Sequence, residues 1–575
     1  MNFRSLEKLK MKKFLPFFNK KLKFGKDKVS KFSLSWNKNI YIAILTVLII
    51  VSCVLNIYKS DLVPGCLNAD EAAFGYNAYS ILQTGRDEHG QFLPLRLASF
   101  NDYKMPLYSY LSIPFVSLFG LSDFSTRILN KIIGVLFIPV IYLFIKELFG
   151  NKKIALLGSS IVAFSPWLYL LSRQAHETLL SSIFVVISLI FLLKFFEKEH
   201  IKYILLTNVA ILLASFSYHT GRLYLVILFY IQLKWIWDRY KDKKINFIKL
   251  RKWFLLVCIT VLISLSGDFL HGPTRLNSLL FNQTSGFQLK IDEFLREDSN
   301  RLLHNKPVAS IVDVTLRYAS QISTDYLIKT GDKNLRFGFE NISLVTPFQY
   351  LAIIIGLYFL FKRKEKHRFL LVILLFLTPM TNALTWQDPS LSRTFFLIVP
   401  LAAISSYGLY EFFKNLAHKN FRTFLLLTVV IFHILFLIFS WDVYFNHYFK
   451  RQLTSQSWQC GYKELINYIR KEHNGKRKFL ITKKHGQPYI FLLFYLRYPS
   501  KKYTSEARIT RPDEYGFTQV RGFDKFEFEG FSSSQFKKGL TFIGYPDDFQ
   551  GNNIDENKIE KIIINNQEVF WIYKN

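Results

Sequence analysis

Asp70 and Glu71 stand side by side in the stretch NADEAAFGYNAYSILQTG, in a chain of 575 residues with a formal net charge of +32. Adjacent carboxylates at the start of a helix have two readings. In the first they favour the positive end of the helix dipole. Asn68 with Glu71 then makes a variant of the capping box, and Gly85 is placed to end the helix. In the second they do chemistry, and the same loop supports this by adding Arg86, Asp87 and Glu88, then Asp102, Tyr103 and Lys104. Several other chemistries leave no trace in the sequence. There is no CxxC or HExxH spacing for a metal, no Walker-type phosphate loop and no Asp-x-Asp pair. Further along, SYHTGRLY groups Tyr218, His219 and Arg222 at the boundary of an apolar run. Ionisable residues there are functional candidates, or helix-end groups snorkelling to an interface. Arg393 precedes another apolar run and reads as a phosphate ligand or as an anchor beside Asp388. Arg173 lies one turn before Glu177 and can simply pair with it. Arg127 opens a span, where interfacial anchoring is the plainer reading, and His176 reads as a polar loop residue.

The elements that must position these groups are apolar. Half of the residues are hydrophobic, 17% are aromatic, and there are 58 Phe. They cluster in runs long enough to cross a hydrocarbon core of about 30 Å. The fold class expected is therefore an all-α polytopic membrane protein. Its spans, about eleven in number, fall near 39–58, 127–147, 153–171, 179–196, 201–217, 222–238, 252–266, 346–361, 369–385, 394–413 and 422–441. Basic connectors such as KELFGNKK, DRYKDKKINFIKLRK and FKRKEKH then all fall on one side, which the positive-inside rule assigns to the cytoplasm. Residues 1–38 form a basic cytoplasmic arm and 39–441 the membrane module, with external loops over 59–127 and 266–346. Met105–Gly120, with two prolines, reads as an interfacial helix in the first of these loops. Everything after Trp441 lies outside. There the composition turns soluble, and 442–575 reads as an extracytoplasmic α/β domain. Its helices are KELINYIRKEH and QPYIFLLFYLRY, and its strands KFLIT, LTFIGY, KIEKIIIN and EVFWIY. Cytoplasmic lysine facing anionic lipid accounts for the net charge without invoking nucleic acid. Cys66 and Cys460 are both external in this threading, which leaves their pairing open.

The stretches NADEAAFGYNAYSILQTG, PLRLASFNDYKMPLYSYLSIPFVSLFG and FSTRILNKIIG together resemble the first extracytoplasmic loop of the GT-C glycosyltransferases. The branch is that of the protein O-mannosyltransferases and lipid A aminoarabinose transferases. The resemblance continues in AFSPWLYLLSRQAHETLLSSIF, LTWQDPSLSRTFFLIVP and GQPYIFLLFYLRYPSKKY. It implies an enzyme that moves a hexosyl or pentosyl group from a polyprenyl-phosphate carrier to a hydroxyl on the outer face, with inversion. A carboxylate must then take the proton of the attacking hydroxyl, and fixed cations must meet the charge growing on the leaving phosphate. By the resemblance Asp70 matches the catalytic base, Glu71 orients it or contacts the sugar, and Glu177 matches a second acid. Lys104 matches the lysine before the family's Pro-Pro-Leu element. Asp102, Arg127, Arg173, Tyr218, His219, Arg222 and Arg393 complete the expected donor and substrate contacts.

Two departures stand out. Met105 replaces the first Pro of that element, and Tyr103 replaces a Glu linked to a metal in the aminoarabinose transferases, so no metal or other cofactor is expected. The expected partners are the lipid-linked donor, an acceptor protein, glycolipid or polysaccharide, and membrane lipids. The expected location is a bacterial cytoplasmic membrane. Two alternatives remain open: a polysaccharide polymerase or ligase using a lipid-linked oligosaccharide, and a lipid-carrier flippase or transporter. Against the last, the acids sit in external loops and the chain has no internal repeat.

Overall fold

A computed structural model describes residues 37–574, apart from 100–101, 272–281, 283–284, 340–341, 386–388, 473–476, 512–517, 531–538 and 551–553. Each apolar run expected to span is helical. The first is α1 (Lys38–Ile57), followed by α2 (Ala69–Thr84) and α3 (Leu107–Phe119) in the first loop. Then come α4 (Asp123–Phe149), α5 (Lys152–Ala163), α6 (Pro166–Ser172), α7 (Glu177–Lys198), α8 (Ile201–Ser217), α9 (His219–Lys241) and α10 (Phe247–His271). Among the described residues, five helices are by length and composition able to cross a membrane: α1, α4, α7, Leu391–Asn415 and Lys419–Lys450. A sixth results if α5 and α6, bent by 55° at Phe164–Ser165, count as one span. Pro166 sits at the first position of α6, where its missing N–H costs nothing, and Ser165 caps that helix through its hydroxyl. Helix Ile201–Ser217 and helices Pro347–Lys362 and Arg368–Ala383 are apolar but shorter.

Burial separates inner from outer helices. Most of the apolar window of Leu391–Asn415 is enclosed (83%), against 11% for Lys419–Lys450. A helix apolar all round and exposed on most of its surface is suited to lipid rather than to water.

The first loop and the C-terminal residues share one core. Leu67, Ala72, Ala73 and Tyr76 of the loop pack with Leu465, Ile466, Phe491 and Phe494. The helices α11 (Tyr462–Lys471) and α12 (Pro488–Leu496) fall where the sequence places them. So do the strands β3 (Lys478–Ile481), β7 (Leu540–Gly544), β8 (Ile559–Ile564) and β9 (Gln567–Lys574), counting β1 (Leu97–Ser99) and β2 (Asp102–Lys104) in the first loop. Three short strands not expected from the sequence complete the sheet: β4 (Arg508–Ile509), β5 (Val520–Phe523) and β6 (Phe526–Phe528). The order is β4-β5-β6-β3-β7-β9-β8, with β3 parallel to both neighbours and the remaining pairs antiparallel. Helix α12 is apolar on every face because it is enclosed on every face, between the sheet and α2. Gly75 permits that approach: a Cβ there would meet Thr126 Oγ1 at 2.5 Å and Phe494 Cε2 at 2.6 Å. A disulfide between Cys66 and Cys460, Cα atoms 5.4 Å apart, ties the two regions just before α2.

Candidate active site

Helix α2 begins as its sequence dictates. The Asn68 side chain accepts the Glu71 N–H at 3.1 Å, and Glu71 Oε2 accepts the Asn68 N–H at 3.1 Å, closing a capping box. Gly85, at φ 69°, takes the left-handed conformation that ends the helix. The start is further fixed from the C-terminal region, where Gln459 Oε1 accepts the Ala69 N–H at 2.9 Å.

Asp70 and Glu71 point to different surroundings. The Asp70 side chain is 44% exposed. Its Oδ1 accepts from Lys104 Nζ at 2.8 Å and its Oδ2 from Arg336 Nη1 at 3.1 Å. Partial burial pushes this carboxyl up, but the Lys104 ammonium and the Arg336 guanidinium outweigh it and hold the carboxyl well below the usual carboxylate range. Lys104 comes from β2, which pairs antiparallel with β1, and its ammonium lies 4.8 Å from the centre of the Phe74 ring.

Arg336 comes from the loop 331–339, which an internal acid organises. Asp332 is buried; its carboxylate accepts the Asn334 N–H at 2.8 Å and the Leu391 N–H at 2.6 Å. The Asn334 side chain in turn accepts the Arg336 N–H at 3.0 Å. Burial pushes the Asp332 carboxyl up to about 7, against the pull of those two backbone donors.

For Glu71 the expected sugar contact is corrected. It is wholly buried, and Arg127 grips it with Nε to Oε1 at 2.8 Å and Nη2 to Oε2 at 2.7 Å. Oε1 also accepts the Ala175 N–H at 2.7 Å. No face of this carboxylate is left for a sugar. Arg127 and Arg173 are corrections for the same reason. Arg127 spends its remaining donors on the carbonyls of Pro64 (2.8 Å) and Cys66 (2.6 Å). Arg173 does not pair with Glu177. It donates to the carbonyls of Leu55, Tyr58, Lys59 and Val63, capping the C-terminal end of α1. These two arginines staple the turn between α1 and α2, and neither is free to meet a phosphate.

The other expected residues gather near Asp70 by a second route. His176 caps α7, its Nδ1 accepting the Thr178 N–H at 3.2 Å. Burial lowers its imidazole to about 4, so the ring is neutral near pH 7. It packs edge-on against Tyr218 and Phe337, at 5.9 Å and 5.3 Å between ring centres. Glu177 begins α7 with its carboxylate 3.9 Å from His176 Nδ1. His219 Nε2 is 3.1 Å from the Tyr103 carbonyl, and Arg222 reaches Met105 Sδ at 3.9 Å, so both brace the β2–α3 turn that carries Lys104. Arg393 bonds Thr385 Oγ1. The Asp102 backbone is in β2, but its side chain, like Asp388, lies outside the described residues.

Arg336 and Asp332 were not singled out from the sequence. Their signal was present in KTGDKNLRFG, a charged, glycine-bounded segment in a loop otherwise expected outside the membrane.

Residues 103–264 match the family described as dolichyl-phosphate-mannose-protein mannosyltransferase. That segment carries Lys104, His176, Glu177 and the 218–222 turn, and the match bears out the resemblance to the GT-C glycosyltransferases. Among solved structures the chain is similar to ArnT from Cupriavidus metallidurans, at 11% identity over 93% of this chain and 97% of that one, with a TM-score of 0.48. It is also similar to the oligosaccharyltransferase AglB from Archaeoglobus fulgidus, at 14% identity over 80% of this chain and a TM-score of 0.46. The alignment spans 64% of the length of AglB. The S. cerevisiae Pmt1-Pmt2 complex is similar at 16% identity over 42% of this chain and 36% of that one, with a TM-score of 0.33. No curated protein matches the chain.

Proposed function

We propose that this protein is a membrane glycosyltransferase that moves a sugar from a polyprenyl-phosphate carrier to an acceptor hydroxyl, with inversion and with Asp70 as the base. One observation carries the reading: a half-exposed carboxylate held between two cations, Lys104 and Arg336, that come from separate loops. The acceptor oxygen attacks the anomeric carbon, its proton passes to Asp70, and the bond from that carbon to the phosphate oxygen breaks with its electron pair. A carboxylate pinned by two cations is a weak base, so the same cations must let go of it. A donor phosphate offers them a better partner, bidentate for arginine. As Lys104 and Arg336 turn to the phosphate, the Asp70 carboxyl rises toward its ordinary value just as the acceptor arrives. The leaving phosphate is then stabilised by the groups that had restrained the base. Glu177 is the second acid of this reading, at the His176 edge of the site.

Since Lys104 and Arg336 supply the positive charge, the reaction calls for no metal, and a chelator should leave the rate unchanged. The proposed threading has about eleven spans, with the N-terminus cytoplasmic and residues 442–575 outside, in a bacterial cytoplasmic membrane. The Cys66–Cys460 pair supports it, because a disulfide persists on the oxidising side of a membrane. The experiment is release of labelled sugar from a polyprenyl-phosphate donor pool by the purified protein in liposomes. Wild type should transfer and Asp70→Asn should not. A carrier that crosses the bilayer uncleaved would replace this reading with a flippase.

A further inference from the structure

Beside Arg127, a groove of about 590 Å³ opens between the start of α4 and the C-terminal region. Its charge is one-sided. Lys131, Lys463, Arg470 and Arg497 line it, against Asp61 and Asp123. Among the described residues only Asp123 of these acids is in an ion pair, with Lys463 at 3.2 Å. Among the described residues no carboxylate lies within ion-pair distance of Lys131, Arg470 or Arg497. Backbone carbonyls hold the two arginines instead: Arg470 donates to Tyr495 and Arg497 to Leu121, the latter at 3.4 Å. Such cations are oriented but not neutralised.

Depth says what they await. Phe124, Arg127 and Lys131 form one stripe along α4, and Lys131 sits about 12 Å along the axis from Asp123 at 1.5 Å per residue. It is a lysine inside a helix apolar enough to span, turned toward a groove. An exposed aromatic side chain, Phe124, lines the groove, and a second, Phe119, packs edge-on against it at 5.3 Å between ring centres. Cations beside exposed aromatic side chains at the end of a span match an amphiphile with an anionic head better than a freely soluble anion.

We infer that this groove binds the phosphate-bearing headgroup of a membrane lipid from the outer leaflet, at a site separate from Asp70. The inference does not depend on the transfer reaction, since it rests on the groove; its leaflet alone rests on the proposed threading. The test is native mass spectrometry of the purified protein with phosphatidylglycerol or phosphatidylcholine. Wild type should retain phosphatidylglycerol in preference to phosphatidylcholine. Lys131→Gln with Arg497→Gln should lower that retention about tenfold, and Asp70→Asn should leave it unchanged. Removal of two exposed cations elsewhere, Lys244→Gln with Lys249→Gln, should also leave it unchanged. The conservative pair Lys131→Arg and Arg497→Lys should retain the lipid, which separates lost binding from lost folding. Equal retention of both lipids, or an equal fall with the remote pair, would overturn the site. Displacement of the lipid by millimolar inorganic phosphate would make it an ion site and overturn the headgroup assignment. Loss in Asp70→Asn would merge it with the donor site and overturn its separateness.

Discussion

Asp70 and Glu71 are neighbours on one helix turn, yet the regions they enter differ in almost every physical respect. At Asp70 the carboxylate is half exposed, and its partners are two long cations from separate loops, the Lys104 ammonium enclosed and Arg336 partly exposed. At Glu71 the surroundings are closed. Its partner is a bidentate arginine whose other donors are spent on backbone, and the turn it holds is crossed by a disulfide. Two carboxylates of similar chemistry thus take different tasks because one can lose its partners and the other cannot. A buried pair with every donor matched is costly to break from one side and gains little by existing. A pair that reaches solvent on one side is partly screened and can be rearranged by a substrate.

The largest effect should come from breaking the closed side. Arg127→Met leaves the Glu71 carboxylate buried and unmatched and should cost about 3–5 kcal/mol of stability, read as a collapse of the thermal unfolding midpoint. Removing the clamp beside it, with Cys66→Ser and Cys460→Ser, should cost about 2–4 kcal/mol and loosen the start of α2 in hydrogen exchange. On the open side, Lys104→Gln or Arg336→Gln removes a charged contact of about 1.5–3 kcal/mol and should lower kcat/KM roughly ten- to hundredfold. The midpoint should barely move. A pH-dependent effect belongs to Asp332, one step behind Arg336. With its carboxyl raised by burial from 3.8 to about 7, the folded chain holds a proton there that the unfolded chain has lost. Between those values its contribution to stability falls as pH rises. The midpoint of Asp332→Asn relative to wild type should therefore climb from about pH 4 to about pH 7.

Much of the helical layout was legible because apolar length and basic connectors speak plainly. The capping box at Asn68 and the stop at Gly85 were legible for a local reason: both are settled within a few residues. What the sequence did not reveal was which acid had company. Arg127 and Arg173 carry the same charge as Lys104 and precede or follow apolar runs in the same way, so all three look fit for a phosphate. Only the fold shows that the first two are spent on the carbonyls between α1 and α2. Arg336 was hidden because it reaches Asp70 across a sequence separation of 266 residues, from a loop with no periodicity to mark it. The strands β4, β5 and β6 escaped for a related reason. They are two to four residues long, too short for alternation to register, and are strands only by virtue of a chain of pairings, β4 with β5, β5 with β6 and β6 with β3. The unity of the first loop with the C-terminal region was likewise invisible, since its core is made across the full length of the membrane module.

One measurement tests the division between the two acids most directly. Sugar transfer and the thermal unfolding midpoint are taken on the same liposome preparations of wild type, Asp70→Asn and Glu71→Gln. The account predicts that Asp70→Asn keeps its midpoint and loses about 10²- to 10⁴-fold in rate, whereas Glu71→Gln loses its midpoint first and transfers only as far as it stays folded. Near-wild-type transfer by Asp70→Asn, or an undisturbed midpoint with abolished transfer in Glu71→Gln, would contradict it.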